Sequence, residues 1–434
     1  MAHFILDLFY SFGNCMNCFP ESPTLKINSR SFKILRLLGE GGFSYVYLVE
    51  DTSSHQLFAL KKIQCPFGAE SVQQAMREVD AYRLFAHIPT IISAVDHAVA
   101  TERGADEATK TVYVLLPYYR RGNLQDMINA NLVNHDTFPE RHLMMLFLGV
   151  CKALRAMHQY KAPPAERMEM GNEDDDHTLS HVSTSNNNKR SGGARGKRTE
   201  EDDDHQDDEQ ERPLMEAENQ MSAGGGKMQS YAHRDIKPGN IMIDDSGSTP
   251  ILMDLGSVAP SPIPVTSQSL ALQIQDTAAE HSTMSYRAPE LFDVRTGSVI
   301  DTKVDIWSLG CTLYACLVGK SPFEMRSDET GGTLSLCVLG GDWRFPDESP
   351  GGVKRVNSIS QAKARAASGD HQSGNAGAAA NSSSVVISEP IREIVRQCLK
   401  VEPAERPDIG QLIIMVERVL DGLSDGDASG YAST

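Results

Sequence analysis

The chain has 434 residues, 58 acidic and 41 basic, for a formal net charge of −17, and 40% are hydrophobic. That charge argues against a nucleic-acid-binding surface, while the length and apolar share allow two or three average domains, or one large one with insertions. Eight Cys at irregular spacing fit free thiols in a reducing compartment better than a disulfide framework.

Residues 1–29 read as a tail: apolar at Phe4–Tyr10, then carrying Cys15 and Cys18. The apolar run is far short of the roughly 18 to 20 residues of a spanning helix, and it lacks the cationic start of a signal peptide. From Phe32 the pattern is strand, glycine turn, strand, strand, over Phe32–Leu38, Tyr45–Glu50 and Leu57–Ile63. The turn, Gly39-Glu40-Gly41-Gly42, lets backbone N–H groups approach phosphates closely, although taken alone it is equally an ordinary hairpin. Phe58-Ala59-Leu60-Lys61 then puts a Lys on the third strand, within reach of such phosphates.

Residues 70–86 read as a helix with Val72, Met76, Val79 and Tyr82 or Arg83 on successive turns. Glu78 on that helix is the expected partner of Lys61. Glu70 sits in the first turn, where the dipole alone favours an acid, and Asp80 points to another face. A strand follows at Thr111–Leu116. Thr137 with Glu140 makes a capping-box signature ahead of a long core helix through Leu143, Phe147, Val150, Leu154 and Met157.

The pattern stops at residue 161 and resumes near 229, across a segment with 17 acidic and 9 basic side chains and few aromatics. Such a segment buries too little surface to offset its ordering entropy, so it reads as a disordered insertion. A second, rich in Ser, Ala, Gly and Asn, spans 349–386. Residues 424–434 read as a flexible end. Asp305–Val318, apolar almost all round, is a buried central helix stopped by Gly319, and Pro390–Leu399 and Ile409–Leu420 are amphipathic helices.

The chemistry concentrates in His233-Arg234-Asp235-Ile236-Lys237-Pro238-Gly239-Asn240. Asp235 suits a group that takes a hydroxyl proton, Asn240 one that holds a divalent cation, and Lys237 one that steadies a transferring phosphoryl group. Asp254-Leu255-Gly256 adds a second cation ligand in Asp254. Ala288-Pro289-Glu290 follows. Glu290 is expected to be buried and therefore to need a partner, for which Arg406 is the choice, and Asp305 is expected to accept hydrogen bonds from the catalytic-loop backbone.

These elements, in this order, resemble the eukaryotic protein kinases over roughly residues 30–423 apart from the insertions. The resemblance implies an α+β, bilobal fold: a small β-rich N-lobe over 30–118 and a larger helical C-lobe over 119–423. It implies ATP and Mg²⁺ as cofactors and protein substrates as partners. Adenine is then expected against Val46 and Ala59 and the linker Pro117, Tyr118 and Tyr119, with Leu116 guarding the rear. Lys237 and Thr283 take the Ser/Thr form. Tyr231-Ala232, Met253-Asp254-Leu255-Gly256-Ser257 and Thr283-Met284-Ser285-Tyr286-Arg287 are similar to the Numb-associated kinase family. Within it they resemble the small lipid-anchored branch of serine/threonine kinase sixteen and its yeast vacuolar relatives. That branch is active without an upstream kinase and folds part of its activation segment as a helix. Here Ser269–Ala279 is the expected counterpart, with Leu270, Leu272, Ile274 and Ala278 on its apolar face.

The animal members begin Met-Gly, the myristoylation signal, whereas this sequence begins Met1-Ala2. By resemblance Cys15 and Cys18 are the expected acylation sites, anchoring the chain peripherally at the cytoplasmic face of Golgi or vacuole, with a cytosolic location if unacylated. An unmodified tail and a metal or redox Cys pair are the alternatives. Lys189-Arg190, Arg195 and Lys197-Arg198 are either an import signal or an offset to nearby carboxylates. A non-catalytic adaptor with the same fold, or a kinase of lipids or small molecules, are the rival functions. The first needs loss of Lys61, Asp235 or Asp254, and the second lacks the protein-substrate lobe that Ala288-Pro289-Glu290 marks.

Overall fold

The computed structural model describes residues 24–101, 109–161, 229–348 and 387–423. Cys15, Cys18, the C-terminal 424–434 and both expected insertions, apart from Lys161 and Gln229, lie outside these residues. All the described residues except Lys161 belong to one compact unit.

That unit begins with six antiparallel strands in the order β1-β2-β3-β4-β6-β5. They are β1 (Thr24–Ile27), β2 (Arg30–Glu40), β3 (Ser44–Asp51), β4 (Leu57–Cys65), β5 (Asp96–Thr101) and β6 (Lys110–Pro117). The strands β2, β3, β4 and β6 cover the four expected runs and extend each by one or more residues. β1 corrects the expected tail, whose last residues pair with β2 at Ile27↔Arg30. One sheet face closes over Ile27, Phe32, Val49, Phe58, Leu60 and Leu115. The other carries α1 (Ala69–Leu84), which buries Val79 and Tyr82 and exposes Glu70 and Asp80.

The rest is mainly helical: α2 (Leu124–Asn134), α3 (Glu140–His158), α4 (Gln268–His281), α5 (Lys303–Val318), α6 (Pro322–Thr330), α7 (Leu334–Leu339), α8 (Glu389–Cys398) and α9 (Ile409–Gly422). Three short two-stranded ladders complete it: β7 (Ser230–Ala232) with β10 (Ala259–Ser261), β8 (Ile241–Ile243) with β9 (Pro250–Leu252), and β11 (Ile263–Pro264) with β12 (Val299–Ile300). As expected, α5 is buried along nearly its whole length and ends at Gly319, whose φ of 95° needs a residue without Cβ. None of the described helices is long and apolar enough to cross a membrane.

Two local expectations need correction. The capping box at Thr137 and Glu140 does not form. Pro139 caps α3 without a side-chain bond, and the Glu140 carboxylate accepts the Ser388 N–H at 2.6 Å. Reciprocal boxes form instead at Asn123 with Asp126 and at Asp408 with Gln411. In α4, Ala271 and Ile274 are buried and Leu270 and Ala278 pack on the core, but Leu272 is half exposed. Two residues from both Leu270 and Ile274, it lies on the opposite side of the helix.

The described residues that flank each expected insertion are paired with one another. Tyr160 and Gln229 form an antiparallel bridge, the Gln229 N–H donating to Tyr160 O at 3.2 Å. Tyr160 and Tyr231 meet Phe85 edge-on at 5.4 and 5.5 Å, directly behind α1. On either side of 349–386, Arg392 pairs with Asp347 and Arg396 with Glu348.

Candidate active site

The glycine turn links β2 to β3, and Gln64 N–H holds its tip through Phe43 O at 2.8 Å. A Cβ built on Gly39 or Gly42 meets nothing within 4 Å, and Glu40, Gly41 and Gly42 are exposed, so this backbone is open to a ligand. Val46 lies opposite Lys61, and Ala59 opposite the buried Leu116. Register thus places the expected wall residues on three adjacent strands. Pro117, Tyr118 and Tyr119, all half-buried, follow directly. Arg36 reaches the Tyr118 hydroxyl at 3.5 Å.

Lys61 Nζ donates to Glu78 Oε1 at 2.7 Å and to Asp254 Oδ1 at 3.0 Å. Burial alone would lower the Lys61 pKa, but the Glu78 and Asp254 charges more than offset it and hold the ammonium above the ordinary lysine range. Lys61 in turn holds the Asp254 carboxyl down to about 2, against the effect of burial. Tyr82, one turn beyond Glu78, donates its hydroxyl to Glu78 Oε1 at 2.5 Å. Burial, with Glu78 and Asp254 adding to it, pushes that phenol far up, so it stays a donor. Sequence reading passed over Tyr82 as a core residue, although its i+4 spacing from Glu78 was the signal.

The catalytic loop hangs from one buried anchor, as expected. Asp305 accepts the His233 N–H at 2.8 Å, the Arg234 N–H at 2.7 Å and a hydrogen bond with His158 Nε2 at 2.9 Å. Burial is the largest influence and opposes the Asp305 charge, yet the His158 bond, the nearby imidazoles and the Arg234 N–H together outweigh it and the carboxyl is held low. His233 is fully buried, its ring facing Met253 O at 3.1 Å, and its own carbonyl accepts from Ser257. Arg234 and Asp254 both sit at positive φ, 69° and 61°, a conformation unfavourable for side-chain-bearing residues. Both flank the site.

Asp235, 6% exposed, is gripped by four donors. Its Oδ1 accepts the Thr283 N–H and hydroxyl, both at 2.9 Å; its Oδ2 accepts Lys237 Nζ at 2.8 Å and Asn240 Nδ2 at 2.9 Å. Lys237 also donates to Thr283 Oγ1 at 2.7 Å. Asn240 Nδ2 makes a second bond to Asp235 O at 2.8 Å, so both amide protons are used and the amide oxygen is the atom left for a cation. Met253 N–H donates to Asn240 O at 3.0 Å, tying that residue to the segment that carries Asp254. Among the described residues no group of three His, Cys, Asp or Glu could hold a metal alone. One carboxylate plus one amide oxygen suits a hard divalent ion that completes its shell with phosphate oxygens and water, as Mg²⁺ does beside nucleotides.

Glu290 is bridged by Arg406 at 2.7 and 2.8 Å, as expected, but with its side chain 15% exposed it is only partly buried, the completely buried member of the pair being Arg406. Gln74 of α1 meets His281 at the end of α4 at 2.8 Å, a contact no motif signalled.

A protein kinase domain model matches residues 32–162 and 228–415. Serine/threonine-protein kinase ENV7 of Saccharomyces cerevisiae is 30% identical over 427 residues, 96% of this chain and 99% of its own length. Serine/threonine-protein kinase ppk13 of Schizosaccharomyces pombe is 31% identical over 399 residues, covering 92% and 93%. Serine/threonine-protein kinase 16 of Homo sapiens is 33% identical over 321 residues, covering 74% and 80%. With Lys61 on Glu78 and Asp254, and the anchored Asp235–Asn240 loop tied to the Asp254 segment, the chain belongs to the protein kinase family and is an enzyme of its serine/threonine class.

Proposed function

We propose that the chain transfers the γ-phosphoryl group of Mg-ATP to Ser and Thr hydroxyls of protein substrates, its own among them, at an endomembrane surface. Membership of the family implies ATP, a divalent metal and protein acceptors. The observation that carries the chemistry is Asp235, buried and held by Thr283, Lys237 and Asn240 on the loop next to Asp254. Bound nucleotide and metal supply the transferable phosphoryl group and spread its charge. Asp235 orients the acceptor hydroxyl and takes its proton. Lys237 neutralises charge that develops during transfer, and Thr283 fixes the carboxylate. Lys61, held by Glu78, positions the phosphates; Asp254 and Asn240 are the residues that would hold Mg²⁺. The open backbone at Gly39, Glu40, Gly41 and Gly42 would receive the phosphates, and Val46, Ala59, Leu116, Tyr118 and Tyr119 would line the adenine. The rival adaptor reading needs one of Lys61, Asp235 or Asp254 to be missing, and each is present.

The test is ATP binding with and without Mg²⁺. In the wild type Mg²⁺ should raise ATP affinity, and in Asp254→Asn that increase should fall by about tenfold or more, the scale of a lost charged ligand. An increase that is unchanged in Asp254→Asn would remove Asp254 from the metal site.

The membrane part rests on the sequence of the tail. Cys15 and Cys18 beside Phe4–Tyr10 offer two acylation sites and an apolar segment, and one acyl chain alone anchors weakly. The location we propose is the cytoplasmic face of Golgi or vacuole, with the unacylated chain in the cytosol. Cys15→Ser with Cys18→Ser should move the protein from the membrane pellet to the soluble fraction. A double variant that still sediments with membranes is anchored by something else. Autophosphorylation is part of this proposal, since the chain carries exposed hydroxyls of its own, Ser269 on α4 among them.

A further inference from the structure

Glu78 and Tyr82 lie one turn apart on α1, and both are buried, at 7% and 1% exposure. Long side chains on a helix lean back toward its N-terminus, so the residue four positions on can bring its tip to a carboxylate. The Tyr82 hydroxyl does so, donating to Glu78 Oε1 at 2.5 Å. The same oxygen accepts Lys61 Nζ at 2.7 Å. The other oxygen, Oε2, lies beside Gly256, where an added Cβ would come within 3.4 Å of it and 3.7 Å of Asp254 Oδ1. The Glu78 carboxylate is therefore confined between β4, its own helix and the Asp254 segment.

An ammonium group has three N–H donors. Lys61 gives two of them to Glu78 and Asp254, at 2.7 and 3.0 Å, which leaves one for a phosphate oxygen. The direction of that third donor is set by where the two carboxylates stand. Asp254 is also the residue that would hold Mg²⁺, so Glu78 is the carboxylate left to aim the ammonium. A Glu side chain is flexible, and a single donor fixes one contact without fixing the rotamer. A second donor carried on a buried ring fixes both. Phe or Leu at position 82 would fill the same space and donate nothing, whereas the phenol stays a donor.

We infer that Tyr82 is a positioning residue for phosphoryl transfer: its hydroxyl fixes the Glu78 carboxylate, and Glu78 in turn aims the Lys61 ammonium at the phosphates. The inference rests on the role proposed above for the Lys61–Glu78 pair. Tyr82 touches no reacting atom and acts only through Glu78. Val46, Ala59 and Leu116, on the sheet, keep their places when the hydroxyl is removed. The effect of the hydroxyl therefore falls on the rate of transfer rather than on nucleotide occupancy.

The test compares full-length wild type, Tyr82→Phe, Glu78→Ala and the double variant in transfer of labelled phosphate to dephosphorylated casein. Tyr82→Phe keeps the buried ring and removes only the hydroxyl. Rates are taken per folded protein, with the folded fraction read by circular dichroism. For Tyr82→Phe, kcat should fall about tenfold, the scale of a hydrogen bond to a charged group, while the KM for ATP stays within about threefold. In Glu78→Ala the hydroxyl has no carboxylate to hold, so adding Tyr82→Phe should change kcat by less than about twofold. A phenol that merely packs the core would give the same loss in both backgrounds. That result overturns the inference, as does a loss confined to KM, or a kcat for Tyr82→Phe within about twofold of wild type. In each of these cases an impaired Glu78→Ala leaves the Lys61–Glu78 assignment standing. Glu78→Ala with wild-type kcat, or a wild type that transfers no label, overturns both.

Discussion

Asp235→Asn should lower phosphoryl transfer by about 10³-fold or more while leaving ATP affinity within about twofold of wild type. The amide cannot take the proton of an acceptor hydroxyl. It also breaks the local arrangement. One amide oxygen can still accept from Thr283, whose N–H and hydroxyl lie at 2.9 Å. The amide NH₂ then faces Lys237 Nζ and Asn240 Nδ2, two donors now at 2.8 and 2.9 Å from an oxygen. Lys237 therefore loses its position together with the base, and a thousandfold loss corresponds to about 4 kcal/mol of transition-state stabilisation. ATP meets other groups: Lys61, Glu78 and the β-sheet residues are untouched. Labelled-phosphate transfer and ATP titration, run side by side, check it. Retained transfer means that Asp235 is not the base.

Arg406→Ala has the largest expected effect on stability, a loss of about 3–5 kcal/mol. Its side chain is completely buried and serves several elements at once. Both terminal nitrogens bridge Glu290, and further bonds reach Lys303 O at 2.9 Å, Val401 O at 2.8 Å and Lys400 O at 2.8 Å. The guanidinium also lies 5.0 Å from the Trp307 ring, which stacks on Phe323. Alanine leaves a partly buried carboxylate and three carbonyls without their donor, plus a cavity against Trp307. For a domain this size the melting temperature should fall by about 10 °C. Replacing both partners by neutral groups, Glu290→Gln with Arg406→Met, should cost less than Arg406→Ala, since no uncompensated charge remains. Thermal melts of the three variants decide it, and a shift under about 2 °C for Arg406→Ala would show that the pair contributes little.

What the sequence made legible is the chemistry set by residue type and short spacing. The glycine turn, Lys61, the Asp235 to Asn240 loop and Asp254 are each recognisable within a few residues, and Glu78 follows from helical periodicity. Asp305 and the Glu290–Arg406 pair were legible for another reason: a buried carboxylate must find donors, so a partner had to exist. What stayed hidden depends on long-range contacts. Glu140 carries a capping-box signature, but its carboxylate is taken by the Ser388 N–H, 248 positions away. His158 gave no sign of meeting Asp305, and Gln74 none of meeting His281. Strands β1 and β5 escaped because both lie at sheet edges, where one-sided pairing weakens the alternation that marks a strand. The Cys15 and Cys18 reading falls on residues outside the described structure and stands on sequence alone.

The most direct measurement of the central claim, that these groups form a site for phosphoryl transfer to alcohol side chains of proteins, is phosphoamino-acid analysis. A protein acceptor is incubated with the purified chain, Mg²⁺ and γ-labelled ATP, then hydrolysed. Label on Ser or Thr in the wild-type reaction, and its disappearance with Asp235→Asn, is the predicted result. Label on Tyr, or equal label with Asp235→Asn, contradicts it.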